Sequence, residues 1–174
     1  DKWALSRLHS LIKEVNAYYE EFNFYSVYHS VYRFCTVELS SFYLDILKDR
    51  LYTFKNISLE RKSAQAVLFE ILTVLTKMLS PILSYTADET WQSFKDNLAQ
   101  QYLSVHLSPW PEAREDYINI GLESDFSRIA DLRSAVLKVL EESRISGKIG
   151  SSLEAKVILY FDKEDDYNFF KVHL

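Results

Sequence analysis

Glycine and proline are nearly missing. The 174 residues hold three glycines (Gly121, Gly147, Gly150) and three prolines (Pro81, Pro109, Pro111), and residues 1–80 contain neither. Sheet-rich and phosphate-loop folds use these residues as turn punctuation, so a long stretch without them predicts helix. Cysteine is reduced to Cys35 alone, which excludes an internal disulfide framework and a cysteine-rich zinc site. No run approaches eighteen consecutive apolar residues, which excludes a helical membrane span. The opening Asp1-Lys2-Trp3-Ala4 has neither a Met nor the basic-then-apolar pattern of a signal peptide. These absences lead us to expect a cytoplasmic protein, and a piece of a longer chain. Positive charge is the minority: 20 Lys+Arg against 25 Asp+Glu give a net charge of -5. That balance argues against an indiscriminate nucleic-acid binder, for which a basic surface is expected.

What is present is apolar periodicity. An apolar share of 48% and an aromatic share of 15% support one packed domain, or one domain with a small appendage. Leu8, Leu11, Ile12, Val15, Tyr19 and Phe22 form the i, i+3, i+4, i+7 stripe of an amphipathic helix over residues 2–22. A break follows at Asn23-Phe24. Residues 25–50 carry two stripes, one through Val27, Val31, Phe34, Leu39, Phe42 and Ile46, the other through Tyr28, Tyr32, Leu39, Tyr43 and Leu47. A helix apolar on two faces is expected at the centre of its bundle. Residues 51–60 lose the period and read as a connection. A third helix over residues 61–80 ends or kinks at Ser80-Pro81. Thr86-Ala87-Asp88-Glu89 has the spacing of a capping box and would open a short fourth helix that buries Trp91, Phe94 and Leu98.

Further along, Ser104 to Pro111 reads as extended. A fifth helix spans residues 123–145, with Ile129, Leu132, Val136, Val139 and Leu140 inward, and Gly147 stands at its C-terminus. Ala155 to Phe161 has the pattern of a β-strand, which cannot stand alone. The expected fold is mainly α. An antiparallel helical bundle over 1–99 is followed by an extended connecting strap over 100–121. Residues 122–174 then form the incomplete, helix-turn-strand start of a small α+β subdomain.

The common catalytic patterns are absent. There is no Glu-x-x-His pair, no His-Glu-x-x-His, no Gly-x-Ser-x-Gly elbow, no Walker loop and no Gly-x-Gly-x-x-Gly. His9, His29, His106 and His173 are scattered, so no catalytic or metal-ligating residue is assigned. Gly147-Lys148-Ile149-Gly150 matches the Gly-x-x-Gly loop by which KH domains clamp a nucleotide backbone. Here it joins a helix to a strand, which favours a helix cap and a turn. Two windows have a small basic excess. Lys48, Arg50, Lys55, Arg61 and Lys62 face Asp49 and Glu60; Arg133, Lys138, Arg144, Lys148 and Lys156 face Glu141, Glu142 and Glu154. Each is either an ordinary solvated face or a phosphate contact, with Tyr52 and Phe54 available for base stacking.

Five runs carry a resemblance. They are Asp1 to Leu8 (DKWALSRL); Phe34 to Tyr52 (FCTVELSSFYLDILKDRLY); Ser63-Ala64-Gln65 leading to Leu79-Ser80-Pro81-Ile82-Leu83 and then Thr86 to Trp91; Ser104-Val105-His106-Leu107 with Trp110-Pro111; and Ile149 to Ala155 (IGSSLEA). In this order and spacing the chain resembles the anticodon-binding domain of bacterial-type isoleucyl-tRNA synthetases, which are class I aminoacyl-tRNA synthetases. The resemblance implies a helical bundle that grips the anticodon arm of isoleucine tRNA, in a monomer without membrane contact. It implies no catalysis here, because the HIGH and KMSKS motifs are not in these residues. ATP and magnesium would serve the parent isoleucine–tRNA ligase, and zinc a C-terminal module that these residues lack. The RNA-binding candidates are Lys48, Arg50, Arg61 and Lys62 on the arm's backbone, Tyr52 as a stacking ring, and Lys148 in the Gly-x-x-Gly loop. Lys48, Asp49 and Arg50 have a structural alternative as helix-end caps and salt bridges. Phe34, Phe42, Trp91 and Trp110 are assigned to packing. The competing function is a helical adaptor that binds a protein partner and no RNA.

Overall fold

The computed structural model describes residues 1–99 and 102–173; the first two residues of the expected strap lie outside this set. The chain divides into two compact units, Asp1–Ile120 and Gly121–Leu174.

The first unit is a helical bundle built from α1 (Lys2–Glu20), α2 (Phe24–Arg33), a π-helical segment (Phe34–Tyr43), α3 (Leu44–Tyr52), α4 (Leu59–Leu79) and α5 (Ser84–Phe94). α1 packs on α2 and α4, while α4 also packs on α3 and α5. The apolar stripe of α1 is buried as its spacing dictates, through Leu8, Leu11, Ile12 and Val15. Val27, Val31, Leu47, Ala64, Val67, Ile71 and Met78 are buried with it. Phe22 takes a left-handed backbone (φ 55°) to turn the chain. Asn23 then caps α2, its Oδ1 accepting from the Ser26 N–H at 3.1 Å. α4 ends at Leu79, just ahead of Pro81.

The single helix predicted over 25–50 is α2, the π segment and α3 in succession. Phe34, Glu38, Leu39, Phe42 and Tyr43 are the buried residues of the π segment. Their spacing of four to five is wider than an α-helix turn, and a wider turn brings them to one face. The Leu44 N–H accordingly reaches the carbonyl of Leu39, five residues back. Ser40 and Ser41 donate their hydroxyls to the carbonyls of Cys35 and Thr36, also five back, at 2.8 and 2.9 Å. Buried Glu38 is held by Arg7 of α1, with contacts of 2.8 and 3.1 Å. The second stripe is not buried throughout: Tyr28 and Tyr32 are each 55% exposed. Period alone placed them inward, but the core beneath α2 is filled by Val27 and Val31.

The capping box at Thr86 does not form. α5 begins at Ser84, with Leu83 at the N-cap and no side-chain cap. Asp88 is engaged elsewhere, accepting from Ser104 Oγ at 2.6 Å and the Val105 N–H at 3.0 Å. These bonds seat Val105 against Ala87, Trp91 and Phe94. The rest of the connection is extended backbone broken by short 3-10 turns at Val105–Leu107 and Glu115–Tyr117. It runs back along one face of α1. Trp110 Nε1 donates to Asn16 Oδ1 at 2.7 Å, the Arg114 N–H to His9 Nδ1 at 3.2 Å, and the Asn119 N–H to Ser6 Oγ at 2.8 Å. The strap is therefore part of the first unit up to Ile120.

The second unit follows on α6 (Ile120–Ile145) and includes α7 (Glu164–His173). Gly147 has φ +71°. Its N–H bonds the Arg144 carbonyl and the Lys148 N–H bonds that of Ser143, each at 3.0 Å, which is a Schellman closure of α6. The strand predicted over 155–161 does not form, and no strand occurs among the described residues. The segment has no neighbouring strand to bond, and one strand cannot satisfy its own backbone. It instead borders a cavity of about 400 Å³ lined mainly by Leu132, Val136, Val139, Leu140 and Leu159. Arg128 ties α6 to α7, with Nη2 2.7 Å from Asp166 Oδ1 and its guanidinium 3.8 Å from the Phe169 ring centroid.

Candidate nucleic-acid interface

Five of the six predicted RNA-binding residues gather where α3 turns into α4. Tyr52 ends α3, and the turn runs through Thr53 to Ile57. Ser58 caps α4, its hydroxyl accepting from the Arg61 N–H at 3.3 Å. Arg61 then reaches back, Nη1 donating to the Phe54 carbonyl at 3.1 Å. Thr53 Oγ1 donates to the Asp49 carbonyl. The turn is thus closed by its own side chains, and what it shows to solvent is held on a fixed frame.

Arg50 looks inward. Nη1 donates to both carboxylate oxygens of Asp1 at 3.0 Å. The same carboxylate accepts from the hydroxyls of Tyr43, at 2.8 Å, and Ser63, at 2.7 Å. One acid thereby joins the head of α1 to the π segment, α3 and α4. Burial pushes the Tyr43 phenol up to about 12, with the Arg50 charge pulling the other way.

The remaining groups face outward. Lys48 is exposed and pairs with Asp45 one turn earlier, at 2.8 Å; that hydrogen bond and the Asp45 charge raise its pKa. Lys55 and Lys62 are exposed, and neither has an ion-pair partner among the described residues. Tyr52 is 83% exposed, and Ile57 and Leu59 are each 79% exposed. Aromatic and apolar surface interleaved with free cations suits a single-stranded nucleic acid, whose bases stack while its phosphates pair.

Lys148 lies in the second unit. Beside it, the Gly150 N–H donates to Glu154 Oε2 at 2.8 Å. An internal carboxylate occupies the donor that a phosphate clamp would use, which fits the cap-and-turn reading of this loop. Phe34, Phe42 and Trp91 are buried, and Trp91 Nε1 donates to the Tyr102 carbonyl at 3.0 Å. Burial raises the Cys35 thiol pKa, which disfavours a reactive thiolate. Among the described residues there is no group of three metal-ligating side chains, and no helix is long and apolar enough to cross a membrane.

Sequence reasoning missed the solvent face of α2, where Tyr25, Tyr28, His29 and Tyr32 stand exposed. The signal is in their i, i+3, i+4, i+7 spacing, of which the sequence reading takes only Tyr28 and Tyr32, as part of an apolar stripe.

Comparison with known proteins adds a family and its relatives. The family model for the anticodon-binding domain of tRNA ligase matches residues 1–159. An isoleucine–tRNA ligase of Kosmotoga olearia is 46% identical over 165 residues, 95% of this chain and 18% of that protein. Those of Fervidobacterium nodosum and Caldanaerobacter subterraneus subsp. tengcongensis are 49% identical over 157 residues and 43% over 171. The shared stretches cover 90% and 98% of this chain but 17% and 18% of those relatives. The chain thus spans less than a fifth of their length.

Proposed function

This chain belongs to the anticodon-binding domain family of tRNA ligases, and from that premise we propose that it recognises the anticodon arm of isoleucine tRNA within an ATP- and magnesium-dependent isoleucine–tRNA ligase. The chemistry asks for such a module. A hydrophobic pocket separates isoleucine from valine by only about 1–3 kcal/mol, and that selection says nothing of which tRNA is charged. Choice of tRNA rests on contacts to unstacked loop bases.

The observation that carries the reading is the α3–α4 corner. Lys55 and Lys62 stand exposed and, among the described residues, without ion-pair partners, near in sequence to Tyr52, which is 83% exposed. Lys48, Lys55, Arg61 and Lys62 contact phosphates and set register, and Tyr52 stacks on a base. Arg50 is a positioning residue, held by Asp1. Lys148 adds a backbone contact from the second unit. The ligase acts as a monomer in the cytoplasm, with zinc confined to a further C-terminal module.

The test is a salt titration of the anticodon stem-loop complex, read by anisotropy. Lys62→Ala should weaken binding and flatten the slope of log affinity against log salt by roughly one unit. A slope identical to that of the parent chain would remove Lys62 from the contact.

A further inference from the structure

We propose that the aromatic face of α2 is a stacking platform for unpaired RNA bases, a role that rests on the anticodon-arm reading above. Tyr25, Tyr28, His29 and Tyr32 share one side of the helix by their spacing. Their rings meet in succession. Centroids lie 4.2 Å apart for Tyr25 and His29, 5.1 Å for His29 and Tyr28, and 5.6 Å for Tyr28 and Tyr32, the last pair only 27° from parallel. Tyr25 is 74% exposed, and Tyr28 and Tyr32 are 55% exposed. Val27 and Val31 hold the helix to the core, so the rings are not needed to bury it. Contiguous exposed aromatic surface of this kind marks a contact site.

Nucleic acid suits this face better than a protein helix does. A groove for a partner helix is lined by apolar anchors, whereas every ring of this set ends in a phenol hydroxyl or an imidazole nitrogen. Charge agrees. Residues 22–37 contain no Asp or Glu in a chain of net charge -5. Arg33 follows Tyr32 directly, with its side chain 73% exposed and its Nε 4.0 Å from Glu38 Oε1, a contact at the edge of ion-pair range. Ring faces beside an exposed cation make a base-stacking surface that tolerates any sequence. Tyr28 belongs to α2 and Tyr52 ends α3, so this platform and the α3–α4 corner can be tested by separate substitutions.

The test uses this chain with Tyr28→Ala and Tyr32→Ala. Anisotropy titrations use two probes, the isoleucine tRNA anticodon stem-loop and an unpaired oligonucleotide of the loop sequence. Each alanine should lower affinity for both probes about tenfold, with an unchanged salt slope, since no phosphate contact is lost. Tyr28→Phe and Tyr32→Phe should bind like the parent, and all four variants should melt like it. Undiminished stem-loop binding by the alanine variants overturns the platform and leaves the anticodon-arm reading standing. Ring-dependent binding of the unpaired probe alone supports the platform and overturns the anticodon-arm reading. Binding of neither probe by the parent chain overturns both.

Discussion

Arg50 gives both carboxylate oxygens of Asp1 a hydrogen bond from the same nitrogen, at 3.0 Å each, and so fastens α3 to the head of α1. Tyr43 and Ser63 use the same carboxylate. Replacing Asp1 with Ala leaves the Tyr43 hydroxyl buried without its acceptor and Arg50 without its ion pair. The expected loss is about 1–3 kcal/mol, measured by urea denaturation. Arg50→Ala should lose stability in the same range, and RNA affinity should fall only by the loss of folded protein. Unchanged stability with weakened RNA binding would return Arg50 to the contact surface.

Tyr43 also sets an alkaline limit. Its phenol titrates near 12 in the folded chain because burial disfavours the tyrosinate, against about 10 when unfolded. The folded state holds this proton more tightly, so the contribution is full below pH about 10. It fades as pH rises towards 12, by about 2–3 kcal/mol in all. Tyr19 shifts in the same direction, also through burial. A tyrosinate absorbance titration should show a late-ionising component from Tyr43 and Tyr19 that is abolished in urea.

His9 sets an acid limit. It is 3% exposed and accepts the Arg114 N–H on Nδ1. Burial, with help from the Arg114 charge, depresses its pKa, against opposing pulls from Glu70 and Asp116. The stability it contributes is present above the unfolded value of about 6.5 and is lost as pH falls through the folded pKa. Hydrogen exchange at the Arg114 amide should accelerate relative to amides in α1 as pH drops below about 6. Parallel behaviour of the two sets would show that His9 does not hold the strap.

Gly147 isolates a backbone effect. A Cβ there would meet nothing within 4 Å, yet φ is +71°. Gly147→Ala should therefore cost about 1–2 kcal/mol from the left-handed conformation alone, and Gly147→Asn should cost less. Equal stability of Ala and Gly would mean that the Schellman closure is not maintained in solution.

The sequence was legible where a local rule and the tertiary structure agree. Gly147 marked a helix end, Pro81 limited α4, and the α1 stripe is buried from Leu8 to Val15, though Phe22 at its end is 79% exposed. It misled where distant partners decide. The Thr86–Glu89 spacing fits a capping box, but only the fold reveals that Asp88 serves Ser104 and Val105. Ala155 to Phe161 has strand composition and no strand beside it. Tyr28 and Tyr32 count as apolar in a periodicity and as amphipathic in a structure. For the candidate site, the basic window from Lys48 to Lys62 was visible, but the internal duties of Arg50 and Arg61 were not. Those depend on Asp1 and on the Phe54 carbonyl, partners that no spacing rule connects.

The proposal that this chain reads an anticodon is decided by one titration. The isoleucine tRNA anticodon stem-loop and the same stem-loop with a swapped anticodon are added to the chain at low salt. The isoleucine loop should bind more tightly by about tenfold or more, since one wrong base contact costs about 1–3 kcal/mol. Equal affinity for the two loops, or binding of neither, would contradict it.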